Sequence, residues 1–172
     1  PDVYHTGKVF VYSGSSGDLL YTLVPPVTSF STRQFGATLC GSSDLDGDGF
    51  GDLIVGHPRG SLAGAPLWSG VVLIHSGHTG ALIRSVRSPG PAWNPQYPGA
   101  FGECVSTVPD ASGDGRPEIV VAASEDCADD CPPTQLGMFY VFHSCAADFN
   151  YDGHANSADF FDYLNAFFND WP

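Results

Sequence analysis

Short apolar runs punctuated by glycine, proline and aspartate set the rhythm of this chain. Val9-Phe10-Val11-Tyr12, Leu19-Leu20-Tyr21-Thr22-Leu23, Leu53-Ile54-Val55, Val71-Val72-Leu73-Ile74, Leu82-Ile83-Arg84-Ser85-Val86, Ile119-Val120-Val121 and Phe139-Tyr140-Val141-Phe142 are rich in β-branched and aromatic residues. Each is too short for a stable helix and is bounded by turn signals, so the pattern predicts strands. Ser13-Gly14-Ser15-Ser16-Gly17 and Ser76-Gly77-His78-Thr79-Gly80 read as hairpin turns between successive runs. Only the C-terminal end breaks the rhythm. There Phe160, Phe161, Leu164, Phe167 and Phe168 fall on one face of a predicted helix.

The runs repeat in a fixed order. Phe35-Gly36 recurs 66 residues on as Phe101-Gly102. An acidic stretch, Asp44-Leu45-Asp46-Gly47-Asp48-Gly49-Phe50-Gly51-Asp52, recurs at the same interval as Asp110-Ala111-Ser112-Gly113-Asp114-Gly115-Arg116-Pro117-Glu118. Leu53-Ile54-Val55-Gly56-His57-Pro58 recurs as Ile119-Val120-Val121-Ala122-Ala123-Ser124. A run opened by glycine appears three times, at Gly7, Gly70 and Gly137. Self-similarity of this kind marks stacked or radial repeats, each one supersecondary unit.

The acidic stretch carries the chemistry. Carboxylates at every second position of a glycine-rich curl supply the six to eight oxygens that a hard cation such as Ca²⁺ takes at roughly 2.3–2.6 Å. Asp44, Asp46, Asp48 and Asp52 offer side chains and Phe50 its backbone carbonyl. The twelfth residue is Val55, inside an apolar run, so this is not an EF-hand, which needs a carboxylate there. The second copy offers Asp110, Ser112, Asp114 and Glu118, with Arg116 in the place of Phe50. With Ser112 for an acid, it is expected to hold calcium less tightly. A third loop, Asp148-Phe149-Asn150-Tyr151-Asp152-Gly153-His154-Ala155-Asn156-Ser157-Ala158-Asp159, does keep EF-hand spacing. Its oxygens are expected from Asp148, Asn150, Asp152 and Asp159, with the carbonyl of His154.

These residues resemble the FG-GAP repeat of integrin α-subunit β-propellers and of secreted bacterial proteins: Phe-Gly, a calcium loop, a strand closing on a Gly-Ala-Pro motif, then a strand of the Gly-x-Val-Tyr-Val-Phe type. The motif stands here as Gly56-His57-Pro58 and has become Ala122-Ala123-Ser124 in the next copy. The resemblance covers roughly residues 7–142 and implies four-stranded antiparallel blades, with the calcium loop joining the first two strands of each. In that order the chain supplies a partial blade (7–23), a full blade (35–86) and a partial blade (101–142) within residues 1–144. The expected fold is all-β, about two propeller-type blades and unclosed. Residues 145–172 are similar to half of a dockerin, a short calcium loop with its helix. Between the blades, Trp93 and Tyr97 sit in a proline-rich crossing loop and are expected to cover a blade edge.

Charge sharpens this picture. Six Lys and Arg stand against 19 Asp and Glu, a net charge of −13. Nucleic acid binding rests on basic patches, so that partner class is excluded. Ten of the 19 acids lie in the three loops, where cations explain them. No apolar run approaches the roughly 20 residues that span a bilayer, so membrane insertion is not expected. No secretion signal stands at the start, the pattern of a mature or trimmed product. Five cysteines with loops of this type point to an oxidising, extracellular or cell-surface setting. Cys127 and Cys131 bracket a short loop, the pairing stays open, and the odd count leaves one thiol free or paired between chains.

The six histidines have no nucleophile or ligand partner at a recurring spacing, and His57 and His75 read as packing residues. Glu103, Glu125, Asp126, Asp129 and Asp130 are acids with nothing to set two of them at the separation glycoside cleavage needs. An enzyme is not expected. Closed propellers take about four to eight blades, and this chain has little more than two. The reading is an extracellular, calcium-stabilised structural protein that assembles head to tail with copies of itself into filaments. The alternatives are a calcium-dependent adhesion or ligand-binding module from a longer propeller, or an attachment unit for surface glycans or proteins.

Overall fold

The computed structural model describes residues 7–26, 34–62, 68–89, 99–111, 113, 115–124 and 137–143. Every regular element among them is a strand. The turn Ser13–Gly17 joins β1 (Val9–Tyr12) to β2 (Leu19–Leu23), and the two pair antiparallel as a two-stranded sheet. β3 (Thr38–Gly41), β4 (Leu53–His57), β5 (Val71–His75) and β6 (Leu82–Val86) follow as a four-stranded antiparallel meander in chain order. β7 (Cys104–Val108), β8 (Glu118–Ala123) and β9 (Met138–Phe142) form a three-stranded sheet of the same topology. A two-stranded, a four-stranded and a three-stranded antiparallel sheet are therefore present among the described residues, an unclosed all-β arrangement. The third loop, its helix, Trp93, Tyr97, Cys127, Cys131 and Cys145 lie outside the described residues.

The blades pack face to face. Strand β5 is buried at all five positions, and its pleat sends alternate side chains to two cores. Val71 and Leu73 join Val9, Leu23, Phe35 and Val55 in the core between the half-blade and the central blade. Val72 and Ile74 join Ile54, Val86, Phe101, Ile119, Val121 and Phe142 in the core toward the C-terminal blade. A sheet covered on both faces reads as a continuous apolar run rather than an alternation, which is the pattern of Val71-Val72-Leu73-Ile74.

The repeat is a structural one down to single hydrogen bonds. The Gly36 N–H donates to the Gly56 carbonyl at 3.1 Å, and the Gly102 N–H donates to the Ala122 carbonyl at 3.1 Å. Gln34 and Ala100, each two residues before those glycines, share a left-handed backbone with φ of 63° and 52°. The two ends of the stack differ from its middle. Phe10 and Tyr12 on the outer face of the half-blade are 53% and 59% exposed, and Phe139 and Val141 on the outer face of the C-terminal blade are 75% and 53% exposed.

Candidate metal centre

The loop between β3 and β4 is closed at its base by a reciprocal pair. Ser42 N–H donates to the Asp52 carbonyl at 2.9 Å, and Asp52 N–H donates to the Ser42 carbonyl at 3.3 Å. Above that base, Asp44 Oδ1 accepts the Gly47 N–H at 2.6 Å and Oδ2 accepts the Gly49 N–H at 2.8 Å. Asp46 Oδ1 accepts from Asp48 N at 3.0 Å, and Asp48 Oδ1 accepts from Phe50 N at 2.8 Å. Such curling needs left-handed backbone, and Gly47 and Gly49 both sit at φ 89°, where a β-carbon is strained. The outcome is a cluster of acids: oxygens of Asp44, Asp46 and Asp48 all lie within 4.8 Å of one another.

Three carboxylates this close repel unless something positive stands among them. Asp44 escapes by hydrogen bonding: the Gly49 N–H foremost, with those of Gly47 and Asp48, holds its carboxyl below the usual range. Asp46 does not. Desolvation raises its carboxyl most, and the charges of Asp52, Asp48 and Asp44 raise it further, against a lowering bond from Asp48 N–H. The arrangement fits a hard cation, with Asp44, Asp46 and Asp48 reaching it through carboxylates. A cation there would supply neutralising charge and cross-link the loop.

Asp52 stands apart from the triad and is buried. Its Oδ2 accepts the Leu45 N–H at 2.6 Å and its Oδ1 accepts the Gly77 N–H at 3.1 Å. The residue ties the loop to the turn between β5 and β6, which sequence spacing did not anticipate. From that turn Ser76 Oγ donates to Asp48 Oδ2 at 3.3 Å, and His78 Nδ1 lies 3.7 Å from the same oxygen. The His78 ring stacks on Phe50, centroids 4.2 Å apart. Tyr21 of the half-blade donates its hydroxyl to the Gly77 carbonyl at 2.6 Å. Burial, then the Asp52 charge, raise the Tyr21 phenol above its ordinary value. The recurring Ser-Gly-x-x-Gly spacing at 13–17 and 76–80 was the only sign in sequence that this turn is a fixed feature.

The second loop keeps the skeleton and changes the ligands. Asp110 accepts from Gly113 at 2.6 Å and from Gly115 at 2.7 Å, and Glu118 accepts the Ala111 N–H at 2.8 Å. Glu118 is fully buried, and its other oxygen lies 3.4 Å from His143 Nδ1. The Arg116 guanidinium donates to the Leu45 carbonyl at 3.1 Å, joining the second loop to the first across the blades. Ser112 and Asp114, like Asp148, Asn150, Asp152, His154 and Asp159, lie outside the described residues.

Of the other candidates, Glu125, Asp126, Asp129 and Asp130 lie outside the described residues. His57 and His75 are buried, and His75 Nδ1 donates to the Gly80 carbonyl at 3.1 Å. Glu103 accepts from Ser124 Oγ. Cys40 and Cys104 are free thiols. Among the described residues, no helix is long and apolar enough to cross a membrane.

Comparison with known proteins agrees with this geometry. Residues 35–81, spanning the first loop and most of the central blade, match the FG-GAP repeat. The chain is 30% identical over 127 residues to integrin alpha-E of Mus musculus and 29% identical over 125 residues to integrin alpha-5 of Xenopus laevis. The alignments take in 69% and 70% of this chain but 11% of each relative, so the chain spans about a tenth of the length of the curated relatives it matches. The central blade and its acidic loop are thus similar to an integrin-type FG-GAP repeat.

Proposed function

We propose that this chain is an extracellular or cell-surface structural protein whose blades are stiffened by Ca²⁺ and which assembles head to tail with copies of itself into filaments. One observation carries the reading. The stack is unclosed, and its two end faces expose apolar side chains at positions that the central blade buries. Exposed apolar sheet faces and strand edges are liabilities that proteins cover, and joining unlike ends is a heterologous contact that propagates. Calcium acts by neutralising Asp44, Asp46 and Asp48, with weaker binding expected at Asp110, Ser112, Asp114 and Glu118 and a further ion at Asp148, Asn150, Asp152 and Asp159. No catalytic step is assigned to any residue.

A second reading is favoured by the short coverage of the relatives: an adhesion or ligand-binding module, of protein or surface glycan, within a longer propeller of the integrin type. Sedimentation velocity and negative-stain microscopy, with calcium and with chelator, separate the two. Calcium-dependent polymers support assembly. A chain that remains monomeric at high concentration in calcium removes that reading and leaves the propeller module.

A further inference from the structure

The turn between β5 and β6 sets a nitrogen donor beside the first acidic loop. His78 Nδ1 lies 3.7 Å from Asp48 Oδ2, and Ser76 Oγ donates to the same oxygen at 3.3 Å. Bonds of about 2.1 Å put two ligands of one metal ion roughly 3 Å apart when adjacent and about 4 Å apart when opposed. The 3.7 Å separation falls within that span. Asp48 in turn belongs to the group of three carboxylates whose oxygens lie within 4.8 Å of one another.

The imidazole is held in place from several sides. Its ring stacks on Phe50 with centroids 4.2 Å apart and planes 25° from parallel. The turn that carries it is anchored by the Gly77 N–H on Asp52 Oδ1 and by the Tyr21 hydroxyl on the Gly77 carbonyl. Gly77 packs so tightly on the Gly51 carbonyl that a β-carbon there would overlap it. The turn itself needs no histidine. Ser13–Gly17 repeats it, with Ser13 Oγ accepting the Ser16 N–H as Ser76 Oγ accepts the Thr79 N–H. Gly17 and Gly80 close the two turns at φ 76° and 75°. Ser15 stands there in the place of His78. Turn geometry therefore leaves the imidazole unexplained, and its position beside Asp48 supplies a reason for it.

We propose that His78 Nδ1 is a ligand of the cation held by Asp44, Asp46 and Asp48, and that this mixed site takes a first-row transition cation more tightly than its carboxylates alone would. The inference rests on the reading of the first loop as a cation site and names a second class of ion for it. Ca²⁺ takes oxygen ligands, whereas imidazole suits the divalent transition ions. The nitrogen thus adds affinity for the second class and little for the first.

The experiment is calorimetric titration of the full chain with Co²⁺ and, separately, with Ca²⁺, joined to proton spectra of the Co²⁺-loaded chain. His78→Phe keeps a ring on Phe50 and removes the donor. It should weaken Co²⁺ binding about tenfold or more, since even an outer partner of a metal ligand is worth that. Ca²⁺ binding should change by less than about twofold. The parent should show imidazole protons shifted by the paramagnetic ion, and His78→Phe should lose them. The His78 side chain is 55% exposed, so the variant's melting curve in chelator should match the parent. Should it melt early, His78→Ser, which copies the Ser13–Gly17 turn, takes its place. Unchanged Co²⁺ affinity, shifted imidazole signals that survive the substitution, or equal losses for both ions each overturn the His78 ligand and leave the calcium loop standing. Asp46→Asn with no effect on either ion overturns both.

Discussion

Two loops 66 residues apart fold alike and are built from different acids. In each, the first aspartate accepts from the two glycines three and five residues on, and the ninth residue accepts from the N–H of the second. Those bonds need no cation. They show that position one and position nine shape the curl, while the residues between them decide how much negative charge it holds. The first loop places Asp44, Asp46 and Asp48 together; the second has Ser112 at the third position and swaps a buried Asp52 for a buried Glu118. The extra methylene of Glu118 accompanies a new partner, His143, where Asp52 meets a backbone N–H from Gly77. A conserved-looking acid can therefore be scaffold in one sense and ligand in another.

The largest effect that would break this comparison is metal removal. A ligand bound only to the folded chain stabilises it by RT ln(1 + [L]/Kd), about 2.7 kcal/mol at a hundredfold excess over Kd. Chelation should lower the melting temperature, and a scan that does not move refutes calcium loops altogether. The next effect separates scaffold from ligand. Asp52→Ala strips two N–H groups of a buried charged acceptor, a loss of about 3 kcal/mol from hydrogen bonds to a charge, and should do so with or without calcium. Asp46→Asn removes an acid whose charge is opposed first by desolvation and then by the charges of Asp52, Asp48 and Asp44. It should leave the melting temperature in chelator unchanged or higher and shrink the calcium-induced rise. Equal losses from both substitutions in chelator would erase the distinction.

Arg116→Ala tests whether the loops speak to one another. The guanidinium reaches the Leu45 carbonyl of the other loop at 3.1 Å, and a bond from a charged, half-buried donor is worth about 1.5 kcal/mol net. The loss should be larger in calcium, where the first loop holds Leu45 still, than in chelator. Guanidinium melts of parent and variant under both conditions give the difference; equal losses would reduce Arg116 to an independent contact.

Much of the fold was legible because its signals are local. Glycine-bounded apolar runs gave seven of the nine strands among the described residues; β3 and β7, short and mostly polar or exposed, came only from the resemblance to a four-stranded repeat. The loop acids were legible for the same reason, since alternation of Asp44, Asp46 and Asp48 needs no tertiary information. What escaped were contacts across long separations. Nothing local tells that Gly77 and Ser76 close over Asp52 and Asp48, or that Tyr21 braces that turn from another blade. Gly56 looked like a motif residue; its physical reason, the Gly102 carbonyl packed against it, exists only once blades meet.

The smallest expected effect concerns His75, which stands where Tyr12 and Phe142 stand in the other two blades. It is buried, and burial pushes its imidazole below the ordinary value, against a partial offset from its bond to the Gly80 carbonyl. The folded state thus favours neutral imidazole, and the unfolded chain takes up a proton first as pH falls. Stability rises with pH wherever the unfolded state binds more protons. His75 therefore costs nothing above the unfolded value of about 6.5, and its penalty grows as pH drops below that toward the folded pKa, where it levels off. His75→Phe supplies the ring the repeat carries elsewhere and cannot be protonated. Denaturant melts of parent and variant between pH 8 and about pH 5.5, above the main carboxylate range, should diverge only below about pH 6.5, with the variant losing less. Parallel curves across that window would mean that His75 is protonated as readily in the folded chain as outside it, and that its burial is not what sets its charge.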